Sequence, residues 1–127
     1  MATLKINKLN KNFGSTEVLK GINLDIKNGD FLVLLGPSGC GKSTLLNTIA
    51  GLETSNSGDI LIDEHVVNNM EPSDRDIALV FQSYALYPAM TVRKNVTFGL
   101  EQRKTPKEKI VSALEEVSNL LQINELL

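Results

Sequence analysis

Leu4 and Ile6 alternate with Lys5 and Asn7, which predicts a strand; Leu9 follows, and Phe13-Gly14-Ser15 breaks the pattern. From Val18 a second strand is predicted through Ile22, Leu24 and Ile26, alternating with Asn23, Asp25 and Lys27. Asn28-Gly29 is a strong hairpin-turn signal. It leads into Phe31-Leu32-Val33-Leu34-Leu35, a continuous apolar run of the kind a parallel strand buried on both faces displays. The first third therefore reads as an antiparallel β layer feeding a buried strand. Lys42–Ala50 predicts a helix with Leu45, Leu46 and Ile49 on one face and Gly51 as its stop. Asp59–Ile62 reads as a short strand and residues 63–69 as a polar hairpin or loop. Ile77–Phe81 reads as a further apolar strand, with Gln82 at its end. Thr91 is a predicted N-cap for a helix reaching about Leu100. Thr105-Pro106-Lys107-Glu108 reads as a capping box with proline at the first helical position. Ile110, Leu114, Val117 and Leu121 then form one apolar stripe along the helix that follows, a core-packing face.

The chemistry is concentrated between the apolar run and the first helix. Gly36-Pro37-Ser38-Gly39-Cys40-Gly41-Lys42-Ser43-Thr44 contains the pattern G-x-x-x-x-G-K-S, the phosphate-binding P-loop. Glycines at 36, 39 and 41 let the backbone curl so that successive N–H groups face phosphate oxygens; a Cβ there would block the turn or the phosphate. Lys42 is a flexible point charge suited to the β- and γ-phosphates, and the Ser43 hydroxyl can ligate Mg²⁺. The helix that starts here adds its positive N-terminal dipole. The strand–loop–helix context favours a nucleoside-triphosphate loop over a glycine-rich turn that matches by chance.

Composition narrows the setting. Hydrophobic content of 42% and charged content of 22% over 127 residues are ordinary for one small globular domain with a real core. A net charge of −2 provides no basic field, so nucleic acid is not an expected partner. The single cysteine, Cys40, cannot form an internal disulfide, which suits a reducing compartment. Met1-Ala2-Thr3-Leu4 lacks a basic region followed by an apolar one, so no signal peptide is expected. No apolar stretch approaches the length of a membrane span, and no repeat or linker marks a second domain.

Three stretches taken together resemble the ATP-binding subunits of ABC transporters: GPSGCGKST at Gly36–Thr44, RDIALVFQ at Arg75–Gln82, and YALYP at Tyr84–Pro88. The nearest likeness is to the branch that drives import of sugars and glycerol phosphates. The resemblance runs over the whole chain and implies an α/β fold of the ABC type. That fold has an N-terminal antiparallel β layer plus part of a parallel core sheet with helices, and residues 1–127 would be one nucleotide-binding domain. It implies ATP and Mg²⁺ as cofactors, with Gly36, Pro37, Ser38, Gly39, Cys40, Gly41, Lys42, Ser43 and Thr44 around the phosphates. Phe13 lies where such subunits place an aromatic against adenine, tyrosine being commoner; the alternative is a core residue ending the first strand. Val18 would pack near the same base. Gln82 matches the Q-loop glutamine, which with Ser43 reaches Mg²⁺; the alternative is a solvated strand end. Tyr84–Met90 would lie near the surface that meets the membrane permease subunits. Ala89 departs from the histidine many sugar-importer subunits carry there. The partners implied are the permease subunits and a second ATP-binding subunit in a dimer. The location implied is cytoplasmic, peripheral on the inner face of the cell membrane.

Other parts of the family pattern have no counterpart. The serine-glycine-glycine signature and the switch histidine are missing; the one histidine, His65, falls in the polar loop. Ile60-Leu61-Ile62-Asp63-Glu64 imitates a Walker B strand, and in a small P-loop kinase Asp63 could be catalytic. Its apolar run is short, however, and sits where ABC subunits have an antiparallel hairpin. No catalytic residue is therefore assigned, and the chain is expected to bind ATP without efficient hydrolysis. The expectation is an N-terminal portion of a longer ATPase, incomplete at the C-terminus before the signature, Walker B and switch histidine. The edges of Phe31–Leu35 and an apolar helix face would then lie open.

Overall fold

A computed structural model describes residues 2–127, which form two compact units, one running to Leu79 and the other Val80–Leu127. The first unit is built on a hairpin of β1 (Leu4–Phe13) and β2 (Thr16–Ile26). β3 (Ser57–Ile62) and the two-residue β4 (His65–Val66) complete an antiparallel sheet of order β2-β1-β3-β4. One α-helix, α1 (Lys42–Ala50), and a 3₁₀ turn at Pro72–Asp74 belong to this unit.

The first strands do not keep strict alternation. Ile6 and Leu9 are both buried although three positions apart, which a regular strand would put on opposite faces. A β-bulge resolves this: the pairing of β1 with β2 shifts between Ile6 and Leu9, where Lys8 takes φ 46°. Two asparagines hold the irregularity. The Lys8 N–H donates to Asn23 Oδ1 at 2.9 Å and the Gly21 N–H to Asn10 Oδ1 at 2.7 Å, so each strand's side chain satisfies the other's displaced backbone. Ile6, Leu9, Leu19, Leu45, Ile60 and Val67 form the core, each worth about 1.5–3 kcal/mol of burial.

The second unit holds α2 (Val92–Gln102) and α3 (Lys107–Leu121), which pack on each other. Thr91 caps α2 as predicted, its side chain accepting from the Lys94 N–H at 3.2 Å. The capping box at Thr105 does not form: Pro106 occupies the N-cap position and no side chain caps α3. Of the predicted stripe, Leu114 is buried and Ile110 half-buried, whereas Val117 and Leu121 are exposed. An apolar helix face does lie open.

The predicted parallel strands are the main correction. Neither Phe31–Leu35 nor Ile77–Phe81 enters a ladder among the described residues; Phe31 is 92% and Val80 84% exposed. Asn28-Gly29 does turn, with the Asp30 N–H donating to the Lys27 carbonyl at 3.1 Å, but it joins no hairpin. A parallel strand needs neighbours on its edges and cover on both faces, and the order β2-β1-β3-β4 offers neither segment a place. The sequence signal for these strands is not realised among the described residues.

Gly58 shows how tightly β3 meets the bulge. It takes φ 89°, and a Cβ there would lie 2.6 Å from Leu9 Cα and closer still to the Lys8 carbonyl oxygen. Gly58→Ala is expected to lower the unfolding free energy of this unit by more than about 2 kcal/mol, because backbone atoms cannot swing aside. Urea denaturation followed by far-UV circular dichroism checks it; an unchanged midpoint would contradict the packing described.

Candidate functional site

The loop 36–41 curls as its glycines demand. Gly39 and Gly41 take φ 80° and 97°, the left-handed region where side chains are strained. Gly36 is constrained by room instead: a Cβ there would meet Cys40 Sγ at 2.6 Å. At the loop's exit a Cβ on Gly41 would lie 3.0 Å from Val18 Cγ1 and 3.3 Å from Leu19 Cδ2. Strand β2 thus backs the turn from which α1 starts, with Val18 beside the loop.

Lys42 is the first residue of α1 and folds back over the loop. Its Nζ donates to the Gly36 carbonyl at 2.6 Å and the Pro37 carbonyl at 2.8 Å, with Cys40 Sγ at 3.5 Å. Gly41 has no side chain to cap the first turn, and no acidic residue stands in it. The amides of Lys42, Ser43 and Thr44 therefore head a helix whose positive end nothing in its own sequence offsets. Ser43 is exposed at this end, as are Ser38 and Cys40. A left-handed glycine ring, an ammonium within it and uncapped helix amides make an anion site suited to a polyphosphate.

The remaining predicted residues fall out as follows. Phe13 is not a core residue: its ring is 46% exposed at the end of β1, with Lys11 Nζ 4.8 Å from the centroid. Lys11 is itself fixed by the Thr54 carbonyl at 2.6 Å and Glu53 Oε2 at 3.2 Å. Gln82 is exposed in the second unit and ends no strand. Asp63 and Glu64 form the tight turn of the β3–β4 hairpin, at φ 48° and 65°. Asp63 Oδ1 accepts the Thr3 N–H at 2.8 Å, and its own N–H donates back to the Thr3 carbonyl. That reciprocal lock, on an antiparallel hairpin, leaves no Walker B geometry and no basis for a kinase role of Asp63. His65 lies in β4 rather than a loop, Nδ1 at 2.7 Å from the Asp63 carbonyl. Of the helix face predicted from Leu45, Leu46 and Ile49, Leu45 is buried and Ile49 packs half-buried against the core, whereas Leu46 is exposed and Thr48 and Ala50 are buried.

With this geometry the comparisons fall into place. The sequence profile of a family described as ABC transporter matches residues 19–127. The chain belongs to the ABC transporter family. It is 54% identical over 128 aligned positions to the sn-glycerol-3-phosphate import ATP-binding protein UgpC of Brucella abortus strain 2308, covering all of this chain and 36% of that one. The protein of the same name from Rhizobium meliloti strain 1021 is 52% identical, with 37% of its length covered. This chain therefore spans little more than a third of these relatives. Among solved structures, cbiO1 of Clostridium perfringens, described as part of the ABC transporter complex cbiONQ, superposes with a TM-score of 0.79 at 32% identity over 97% of this chain and 51% of that one. The ATP-binding cassette MJ1267 superposes with a TM-score of 0.80 at 28% identity, over 99% of this chain and 56% of its own. The ABC-type α/β fold expected from the three motifs holds.

Two residues to which the sequence assigned no structural role, Arg75 and Asn95, each organise the backbone of their own unit. Arg75 closes the far end of α1, whose last turn carries no basic residue of its own, and that lack was the available signal. Asn95 gathers the loop before α2. Its Oδ1 accepts the Tyr87 N–H at 2.8 Å, and its Nδ2 lies within 3.2 Å of the carbonyls of Tyr87, Met90 and Thr91. The Tyr87 ring also packs 4.8 Å from Phe98. The loop's apolar side chains Tyr84 and Leu86 stay exposed at 79% and 73%. Asn95→Ala should free the Tyr87 amide, raising its hydrogen exchange about tenfold or more while the middle of α3 stays protected. Equal exchange in variant and parent would remove Asn95 from this role.

Proposed function

We propose that this chain carries the ATP-gripping part of an ABC transporter ATP-binding subunit that powers import of a carbohydrate-type or glycerol-phosphate solute. The observation that carries the reading is the ring of Gly36–Gly41 closed around the Lys42 ammonium at the uncapped start of α1. The solute class is taken from the named activity of relatives 52–54% identical over this whole chain.

The residues fit Mg-ATP. The first-turn amides and Lys42 bind the triphosphate, and Gly39 and Gly41 keep Cβ atoms out of its approach. The Ser43 hydroxyl, exposed at the start of α1, would ligate Mg²⁺; Gln82, exposed in the second unit, is proposed as a further ligand on the family resemblance alone. Phe13, exposed and steadied by Lys11, presents a ring face for the base, with Val18 beside the loop. Bound Mg-ATP supplies the phosphoanhydride energy that such importers use. No catalytic residue is assigned in this chain, whose own role is binding.

The partners proposed are membrane permease subunits, met by the exposed Tyr84–Met90 loop, and a second ATP-binding subunit. The setting proposed is the cytoplasmic face of the cell membrane. Association with the membrane is proposed to run through those partners; no helix among the described residues is long and apolar enough to cross a membrane. Residues 1–127 are proposed to belong to one nucleotide-binding domain.

Lys42→Ala removes the ammonium aimed at the phosphates, and Mg-ATP affinity should fall by about tenfold to a hundredfold. Equilibrium binding of labelled Mg-ATP to folded chain measures it. Identical affinity in the two proteins, or no retention by the folded parent, would defeat the assignment.

A further inference from the structure

The end of α1 away from the phosphate loop is closed by one distant side chain. Arg75 is 5% exposed, and its guanidinium donates to four backbone carbonyls. Nη1 reaches Thr48 at 3.1 Å and Ile49 at 2.9 Å, both in α1. Nε reaches Met70 at 3.1 Å and Nη2 reaches Asn68 at 3.3 Å. Burial lowers the Arg75 pKa from its ordinary value, yet an arginine keeps its charge. A buried cation survives where its donors are matched. Two of the acceptors here are last-turn carbonyls at the negative end of the helix.

Asn68 ties this cluster to the sheet. Its Nδ2 donates to the Gly58 carbonyl at 2.8 Å and its Oδ1 accepts the Ile60 N–H at 2.8 Å. Gly51 leaves the space the guanidinium occupies: a Cβ there would lie 2.8 Å from Arg75 Nε. The chain of bonds runs from β3 through Asn68 and Arg75 to the end of α1.

We propose that Arg75 is a positioning residue for the phosphate loop. By clamping the C-terminal carbonyls of α1 to the Asn68–β3 frame, it fixes the helix whose first turn meets the triphosphate. It thereby sets Mg-ATP affinity without touching the nucleotide. This rests on the nucleotide-binding reading above. A residue serving only general stability would instead affect helix and sheet alike.

Arg75→Met keeps most of the bulk and removes all four hydrogen bonds. In the full chain, the amides of Leu45–Gly51 should exchange at least about tenfold faster, with the β1–β2 ladder within about twofold of the parent. The dissociation constant for Mg-ATP should rise about tenfold. Arg75→Lys, which keeps the charge and fewer donors, should recover part of both effects. If the parent retains no Mg-ATP, the nucleotide reading falls, while selective exchange in α1 still upholds the clamp. Uniform loss of protection across helix and ladder, unchanged α1 exchange, or unchanged affinity despite faster α1 exchange would overturn the proposal. So would failure of both variants to fold.

Discussion

Nine residues of helix are too few to persist alone in water, so α1 exists because of what grips it. At its start, Val18 and Leu19 crowd Gly41, whose φ of 97° would strain any other side chain. In its middle Leu45 enters the core with Ile6, Leu9 and Ile60. At its end Gly51 turns left-handed at φ 80°, and Arg75 takes up the last carbonyls. The phosphate loop is therefore no autonomous motif. Its curvature is set by glycines, but its place in space is set by the β1–β2 hairpin on one side and by Arg75 on the other.

Most of this site could be read from residue types, because the constraints there are local. A left-handed turn demands glycine, and a lysine beside a helix start demands an anion; Gly39, Gly41 and Lys42 announce themselves. The bounds of α1, the Gly51 stop and the Thr91 cap were legible for the same reason. Long-range matching was not. The Lys8 bulge that brings Leu9 inward is invisible to alternation, since it depends on Asn23 and Asn10 answering across the hairpin. Arg75 bonds to Thr48, 27 positions earlier, and the missing basic residue in the last turn of α1 hints at such a partner without saying where in the chain it lies. The capping box at Thr105 had the right letters, yet Pro106 took the N-cap position itself.

The strands expected at Phe31–Leu35 and Ile77–Phe81 illustrate a further limit. Their apolar runs state what the segments want, which is burial on two faces. A strand, unlike a helix, cannot satisfy its own backbone, so the signal is realised only with a neighbour in register. The antiparallel strands have theirs, β2 across the hairpin and β3 from much farther along the chain. The two apolar runs do not, and Phe31 and Val80 stand in solvent as a result.

The electrostatics of the loop explain why a phosphate chain, rather than a neutral ligand, suits it. The Lys42 ammonium is bonded to the Gly36 and Pro37 carbonyls, which share the cation but carry no charge to cancel it. The positive end of α1 points the same way, with no acidic side chain in its first turn. The whole chain is slightly acidic, at −2, so this local field is not a by-product of general basicity. Carbonyls that hold an ammonium without neutralising it keep the charge in place for a ligand that brings its own negative oxygens. An uncharged ligand would gain nothing from displacing them, whereas a polyphosphate gains from the ammonium and the helix amides together.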